Sequence, residues 1–149
     1  MQGFLCTQMR SLDIKGRLIL PPEYREYMVA QIPAGQEIGV WATCFYGRLT
    51  AYLPADWEQI MTSLCKVPFS NVKLSHFKSK IIGLAQFLVP DAQGRVRIPQ
   101  PLMHAGGLTK DVMILGMMNK FEIWDQARFD AIDTSENMAE DLAGLDIAL

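Results

Sequence analysis

A five-residue pattern occurs twice in this chain of 149 residues. Asp13-Ile-Lys-Gly-Arg17 runs into Leu-Ile-Leu-Pro, and Asp91-Ala-Gln-Gly-Arg95 runs into Val-Arg-Ile-Pro. An Asp followed three residues later by Gly suits a type I turn that ends on a left-handed residue. The Asp side chain accepts backbone N–H groups just ahead of it, and Gly takes positive φ without strain. Asp13 and Gly16, then Asp91 and Gly94, are therefore the expected turn-forming residues. Two copies of one turn constrain the fold more than any other feature, because they imply an internal duplication. Asp13 overlays Asp91 at an offset of 78 residues, and Gly47 overlays Asn119 at an offset of 72. The difference falls in a shorter second helix and its loop.

The segments around the turns follow one programme. Leu18–Leu20 reads as a short strand, and Pro21-Pro22 opens a helix running from Glu23 to about Gln31. Two β-like runs, Glu37–Thr43 and Arg48–Leu53, form a hairpin through Gly47. Pro54 begins a second helix, and a loop covers 66–72. Leu74, Phe77, Ile81 and Leu84 then recur at helical spacing, with Lys73, Lys78 and Lys80 opposite. The programme restarts with a strand, the second turn, the strand VRIP, a brief helix over PLMHA, a hairpin VMILGMM-N-KFEIWD and a helix near Gln126. The divisions are a first half over 1–60, a connecting helical segment over 61–85, a second half over 86–130 and an acidic tail over 131–149. Each half is strand–turn–strand–short helix–hairpin and too small to bury its own apolar faces, so the two are expected to interlock into one pseudo-symmetric, β-rich core.

The arginine after each turn is not required by turn chemistry. Alternation puts Leu18 and Leu20 on one face with Arg17 and Ile19 on the other; Val96 and Ile98 share a face, with Arg95 and Arg97 opposite. Spacing leaves two readings open. Asp13–Arg17 and Asp91–Arg95 are structural ion pairs, or Arg17 and Lys15 project from a rigid turn toward phosphates and base edges. Charge bears on the choice. Residues 1–120 hold 13 Lys and Arg against 8 Asp and Glu, a balance of +5; residues 121–149 hold 1 against 8, a balance of −7. A mildly basic body with an acidic appendage fits a polyanion partner, and equally a solvated surface with a solubilising tail.

Other features point away from several classes. No apolar run approaches the roughly 20 residues that span a bilayer, and no signal peptide is visible. The three cysteines, Cys6, Cys44 and Cys65, show no metal-ligand spacing, which fits a reducing cytoplasm. There is no nucleophile–base pair, phosphate loop or metal cluster to suggest an enzyme, and nothing implies a cofactor. His76 and His104 read as surface or helix-end residues. Trp41, Phe45, Tyr46, Tyr52 and Trp57 suit either a base-stacking platform or, more in keeping with strand spacing, a core or subunit interface, and Phe121 and Trp124 likewise. In the tail, Met138, Leu142 and Leu145 recur at helical spacing beside Glu140 and Asp141.

Together, LDIKGRLILPPEYRE, LPADWEQI, DAQGRVRIP and NKFEIWD resemble the MraZ family of bacterial proteins, from about Gly3 to Phe129 and in the order of both halves. The resemblance implies an α+β fold of two AbrB-like (SpoVT-AbrB, swapped-hairpin) halves forming a β-barrel-like core with peripheral helices. It also implies a homo-oligomeric ring that binds double-stranded DNA at direct repeats upstream of its own gene, at the head of the division and cell-wall cluster. The usual role there is transcriptional regulation, commonly repression, by a cytoplasmic, nucleoid-associated protein. The family's DNA-contacting arginines and first-turn lysine correspond to Arg17, Arg95 and Lys15. Arg10 is expected on the same side as Lys15 and Arg17. Gln93 replaces the lysine in the second turn, with Arg97 restoring a charge nearby, so the first half is expected to make most DNA contacts. The chain departs from the family after the second strand, reading LMHAGGL where LREYAGL is usual. Two rival readings are an AbrB-like antitoxin whose acidic tail masks a toxin, which two fused halves argue against, and a structural ring without DNA binding.

Overall fold

The computed structural model describes residues 2–68 and 70–149; residue 69, inside the loop expected over 66–72, and residue 1 lie outside them. Local chemistry sets most element boundaries. After strands β1 (Thr7–Ser11) and β2 (Arg17–Ile19), helix α1 (Pro22–Gln31) starts on a proline, as does α2 (Pro54–Leu64), which follows β3 (Val40–Phe45) and β4 (Arg48–Tyr52). Proline at a helix start sacrifices no hydrogen bond, because the first turn's N–H groups have no intrahelical partner. Helix α3 (Val72–Leu84) is capped instead by Asn71, whose Oδ1 accepts from Leu74 N at 3.0 Å. The second half supplies β5 (Gln86–Leu88), β6 (Arg95–Arg97), α4 (Gln100–Ala105), β7 (Asp111–Gly116), β8 (Lys120–Asp125) and α5 (Gln126–Asp130). Only a five-residue helix, α6 (Ala139–Ala143), forms in the tail, with Met138 and Leu145 exposed.

All the strands pair antiparallel. Six form one sheet in the order β1-β7-β8-β4-β3-β5, and β2 pairs with β6 in a separate two-stranded ribbon. The large sheet is open, with β1 and β5 as its edges, where a barrel-like core was expected. The pairing joins the halves: β1 lies along β7, with Met9 opposite Met113, and β5 lies along β3, with Trp41 opposite Phe87. Each half's first strand thus borders the other half's hairpin. Strand β1 is the strand expected ahead of the first turn, at Thr7–Ser11.

The hairpins differ at their tips. Phe45 pairs with Arg48, leaving Tyr46 (φ 49°) and Gly47 (φ 79°) as a two-residue loop with both residues left-handed, the type I′ geometry that matches strand twist. In the second hairpin Met118 (φ 70°), not Asn119, takes the positive φ.

The main core lies between the sheet, the ribbon and α1 and α4. Phe4, Leu18, Tyr24, Met28, Val96, Leu102, Ile114, Phe121 and Ile123 are all within 1 % of complete burial. A second cluster lies beneath α2 and α3, where Trp41 stacks on Trp57 with centroids 6.1 Å apart and Thr43 Oγ1 donates to the Ile81 carbonyl at 2.6 Å. Tyr52 and Trp57 are buried and Trp41 and Phe45 pack half-buried against them, whereas Tyr46 at the hairpin tip is exposed. Cys44 is half-buried, and that burial pushes its thiol up. Among the described residues no helix is long and apolar enough to cross a membrane.

Candidate nucleic-acid interface

The two turns have the same hydrogen-bond scheme. Asp13 Oδ1 accepts from Lys15 N at 2.9 Å and Arg17 N at 2.8 Å, while Oδ2 accepts from Arg17 Nε at 2.6 Å. Asp91 Oδ1 accepts from Gln93 N and Arg95 N, both at 2.9 Å, and its Oδ2 from Arg95 Nε at 2.8 Å. Gly16 N and Gly94 N close the turns on the aspartate carbonyls at 3.0 Å, with φ of 74° and 79°. Positive φ at both positions is what only glycine adopts freely. The backbone N–H of Arg17 first, then its side chain and the Lys15 N–H, hold the Asp13 carboxyl below its ordinary value. Arg95 and Gln93 do the same for Asp91. The structural ion pairs foreseen from spacing thus exist in both turns. They run through Nε, so each carboxylate fixes the rotamer of its arginine and leaves the two terminal amino groups available.

The ribbon determines what surrounds each turn. In register, Arg17 lies opposite Arg97, Leu18 opposite Val96, and Ile19 opposite Arg95. Leu18, Leu20, Val96 and Ile98 are buried beneath it, which leaves Arg17, Ile19, Arg95 and Arg97 on its outer face. Because β2 and β6 run antiparallel, the turns sit at opposite ends: Gly16 O accepts from Ile98 N at 2.9 Å, and Gly94 O from Leu20 N at 3.0 Å. Arg97 therefore belongs to the first turn's end, although in sequence it stands next to the second turn.

An open groove runs beside each turn. The first is lined by Asp13, Ile14, Lys15, Arg97, Met103 and Lys110, among others. The second, at the equivalent place, is lined by Ile19, Pro22, Arg25, Glu26, Val29 and Gln93. Under the 78-residue offset Lys15 corresponds to Gln93, Arg97 to Ile19 and Met103 to Arg25. Counting each groove with its turn's ion pair, the first end has Lys15, Arg17, Arg97 and Lys110 against Asp13. The second has Arg25 and Arg95 against Glu26 and Asp91. One end is strongly cationic and the other balanced.

Arg10 is not in this group. Its Nε donates to the Ile19 carbonyl at 3.3 Å and its Nη1 to the Met9 carbonyl at 3.1 Å, and its Nη2 meets Gln8 Oε1. It ties β1 to β2. The NKFEIWD segment is likewise structural. Glu122, almost fully buried, accepts from Arg48 Nε at 3.3 Å and Trp124 Nε1 at 3.0 Å, and Asp125 Oδ1 accepts from Thr109 N and Oγ1 at 3.0 and 2.8 Å. Burial pushes the Asp125 carboxyl up, but hydrogen bonds from Thr109 and the Ala127 N–H, with the Arg128 charge, together outweigh it and its pKa is lowered. Lys110 was missed by sequence reasoning, although its counterpart at the 72-residue offset is the apolar Ile38.

An antiparallel α+β protein with a duplicated Asp-x-x-Gly-Arg turn, cationic at one copy, is the class that this fold and surface define. The chain also matches the family model described as "MraZ protein, putative antitoxin-like" over residues 4–79 and 81–143. It is 38 % identical over 143 residues to a protein of Nitratidesulfovibrio vulgaris, covering 92 % of this chain and 93 % of that one. It is 37 % identical to a protein of Oleidesulfovibrio alaskensis, with 99 % of each covered, and 33 % identical to one of Chromobacterium violaceum, with 91 % and 88 % covered. All three relatives are named "Transcriptional regulator MraZ". The chain belongs to the MraZ family.

Proposed function

We propose that the chain is a sequence-specific, DNA-binding transcriptional regulator, acting as a repressor of its own operon. It engages promoter direct repeats as a homo-oligomeric ring, in the cytoplasm and associated with the nucleoid. Its two halves, 1–60 and 86–130, adopt AbrB-like swapped-hairpin form, joined by the segment 61–85. The name shared by the relatives supports the regulatory role. The observation that carries the DNA-binding reading is the gathering of Lys15, Arg17, Arg97 and Lys110 at one end of the ribbon. Four cations on a rigid turn, the two ribbon strands and the approach to β7 suit a phosphate backbone, and the Asp13-oriented guanidinium of Arg17 suits a guanine edge. Arg95, fixed by Asp91 in the same way, makes a secondary contact.

A single subunit offers few phosphate contacts, and each adds only about one unit to the salt slope. Repeating the turn around a ring, against repeats about one helical turn apart, multiplies weak contacts through effective concentration. The test is a mobility-shift series on the DNA upstream of the gene, at several salt concentrations, with wild type and Arg17→Ala. Loss of retention in the variant, with the oligomer intact, supports the reading. Normal retention refutes the site, and equal affinity for one repeat and for several refutes the ring.

A further inference from the structure

Lys110 stands just before β7, and its backbone is fixed on two sides. Its carbonyl accepts from Leu12 N at 2.8 Å, immediately before the first turn. The preceding residue, Thr109, donates both its N–H and its hydroxyl to Asp125, which is 7 % exposed. The first half has no such clamp, since the 72-residue offset puts Glu37 and Leu53 in the places of Thr109 and Asp125. The Lys110 side chain itself is exposed, lines the groove with Lys15 and Arg97, and has no hydrogen-bond or ion-pair partner among the described residues. The same is true of the side chains of Lys15 and Arg97. Arg17 and Arg95, by contrast, each face an aspartate. Three unpaired cations around one groove repel one another, and a polyanion laid across them relieves that repulsion while releasing its own counterions.

We propose that Lys110 is a phosphate-contacting residue of the first-turn groove, and that Thr109 and Asp125 are positioning residues that hold it against the turn. The inference rests on the DNA-binding reading above and adds a contact from the second half to a site built on the first. As a point charge on a flexible stem, Lys110 contributes affinity rather than sequence readout. Its loss therefore weakens binding to all duplexes alike.

The experiment measures the affinity of the full chain by fluorescence anisotropy, across a salt series. Two duplexes are compared, one carrying the upstream region and one of equal length and unrelated sequence. Lys110→Gln is expected to weaken binding several-fold on both and to flatten the salt slope by about one unit for each subunit in contact, while Lys110→Arg keeps the wild-type slope. An unchanged slope for Lys110→Gln overturns the phosphate contact. Thr109→Val, which removes the hydroxyl donor to Asp125, is expected to flatten the slope partially in the wild-type background and not at all in Lys110→Gln. A further drop in the double variant overturns the positioning role. Arg17→Ala separates the two proposals. If it binds like wild type, the whole site is misassigned; if it fails while Lys110→Gln is unaffected, only the present inference falls. Light scattering on every variant confirms that the oligomer is unchanged.

Discussion

The two ends of the β2–β6 ribbon were built from one plan and diverged in what surrounds them. Each has an Asp-x-x-Gly-Arg turn with the same three hydrogen bonds to its carboxylate, within 0.2 Å of one another. Around the first turn stand Lys15, Arg97 and Lys110, whose counterparts by the sequence offsets are Gln93, Ile19 and Ile38. Duplication preserved what the chain needs to reverse direction, and substitution made one end cationic and the other partly apolar. Geometry and charge separate cleanly here, because the turn's hydrogen bonds are local and its charge environment is assembled from distant strands.

Four experiments would break or sharpen that comparison. The largest contrast is expected between Arg17→Ala and Arg95→Ala. The first should weaken operator binding by about 100-fold or more, since a base contact contributes roughly 1–3 kcal/mol in each of several subunits. The second should weaken it by less than about 10-fold. Equal losses in a mobility-shift series would mean that the ends are functionally equivalent. Next, Lys15→Gln with Arg97→Ile gives the first end the second's residues and should flatten the salt slope by about two units per subunit in contact. The converse pair, Gln93→Lys with Ile19→Arg, should raise affinity for unrelated duplexes without raising operator selectivity.

The third experiment probes what the ends share. Gly16→Ala and Gly94→Ala place a Cβ at φ of 74° and 79°, and each should cost about 1 kcal/mol in urea unfolding. A large difference between them would show that one turn is held by its surroundings instead of its own geometry. The smallest effect concerns acid. Both turn aspartates have lowered pKa values in the folded chain, so each contributes stability that is complete above the unfolded carboxylate value of about 3.9 and is lost as pH falls through the folded one. Asp13→Asn and Asp91→Asn should each make the fall in Tm below that pH shallower, to the same degree, as measured by thermal melts across a pH series.

What could be read from the sequence follows the same division. The turns, the buried faces of β2 and β6, the proline-started helices and both hairpins depend on neighbours within a few residues, and each was anticipated. Strand β1 was expected only through the duplication, because Thr-Gln-Met-Arg-Ser has no apolar face of its own and becomes a strand by lying along β7, about 100 residues away. The overlay is close: shifting β5 back by 78 residues lands on 8–10, inside β1. Arg97 was assigned to the wrong turn for a geometric reason. Two residues of extended chain carry it about 7 Å from Arg95, and the antiparallel partner then puts it opposite Arg17. Arg10, expected on the same side as Lys15 and Arg17, is bonded to the backbone of its own strand and of β2. The opposition of an open sheet and a separate ribbon, in place of a barrel, likewise depends on pairing that no local pattern specifies.

The exchange of edge strands gives the segment between α2 and α3 an unexpected mechanical meaning. Since β1 runs along β7 and β5 along β3, each half finishes the other's sheet. A cut near residue 68 would not release two independent lobes; it would leave two fragments with mutually complementary edges. Such fragments, produced separately and mixed, should reconstitute the folded body by complementation, and either one alone should remain unfolded or pair with a copy of itself.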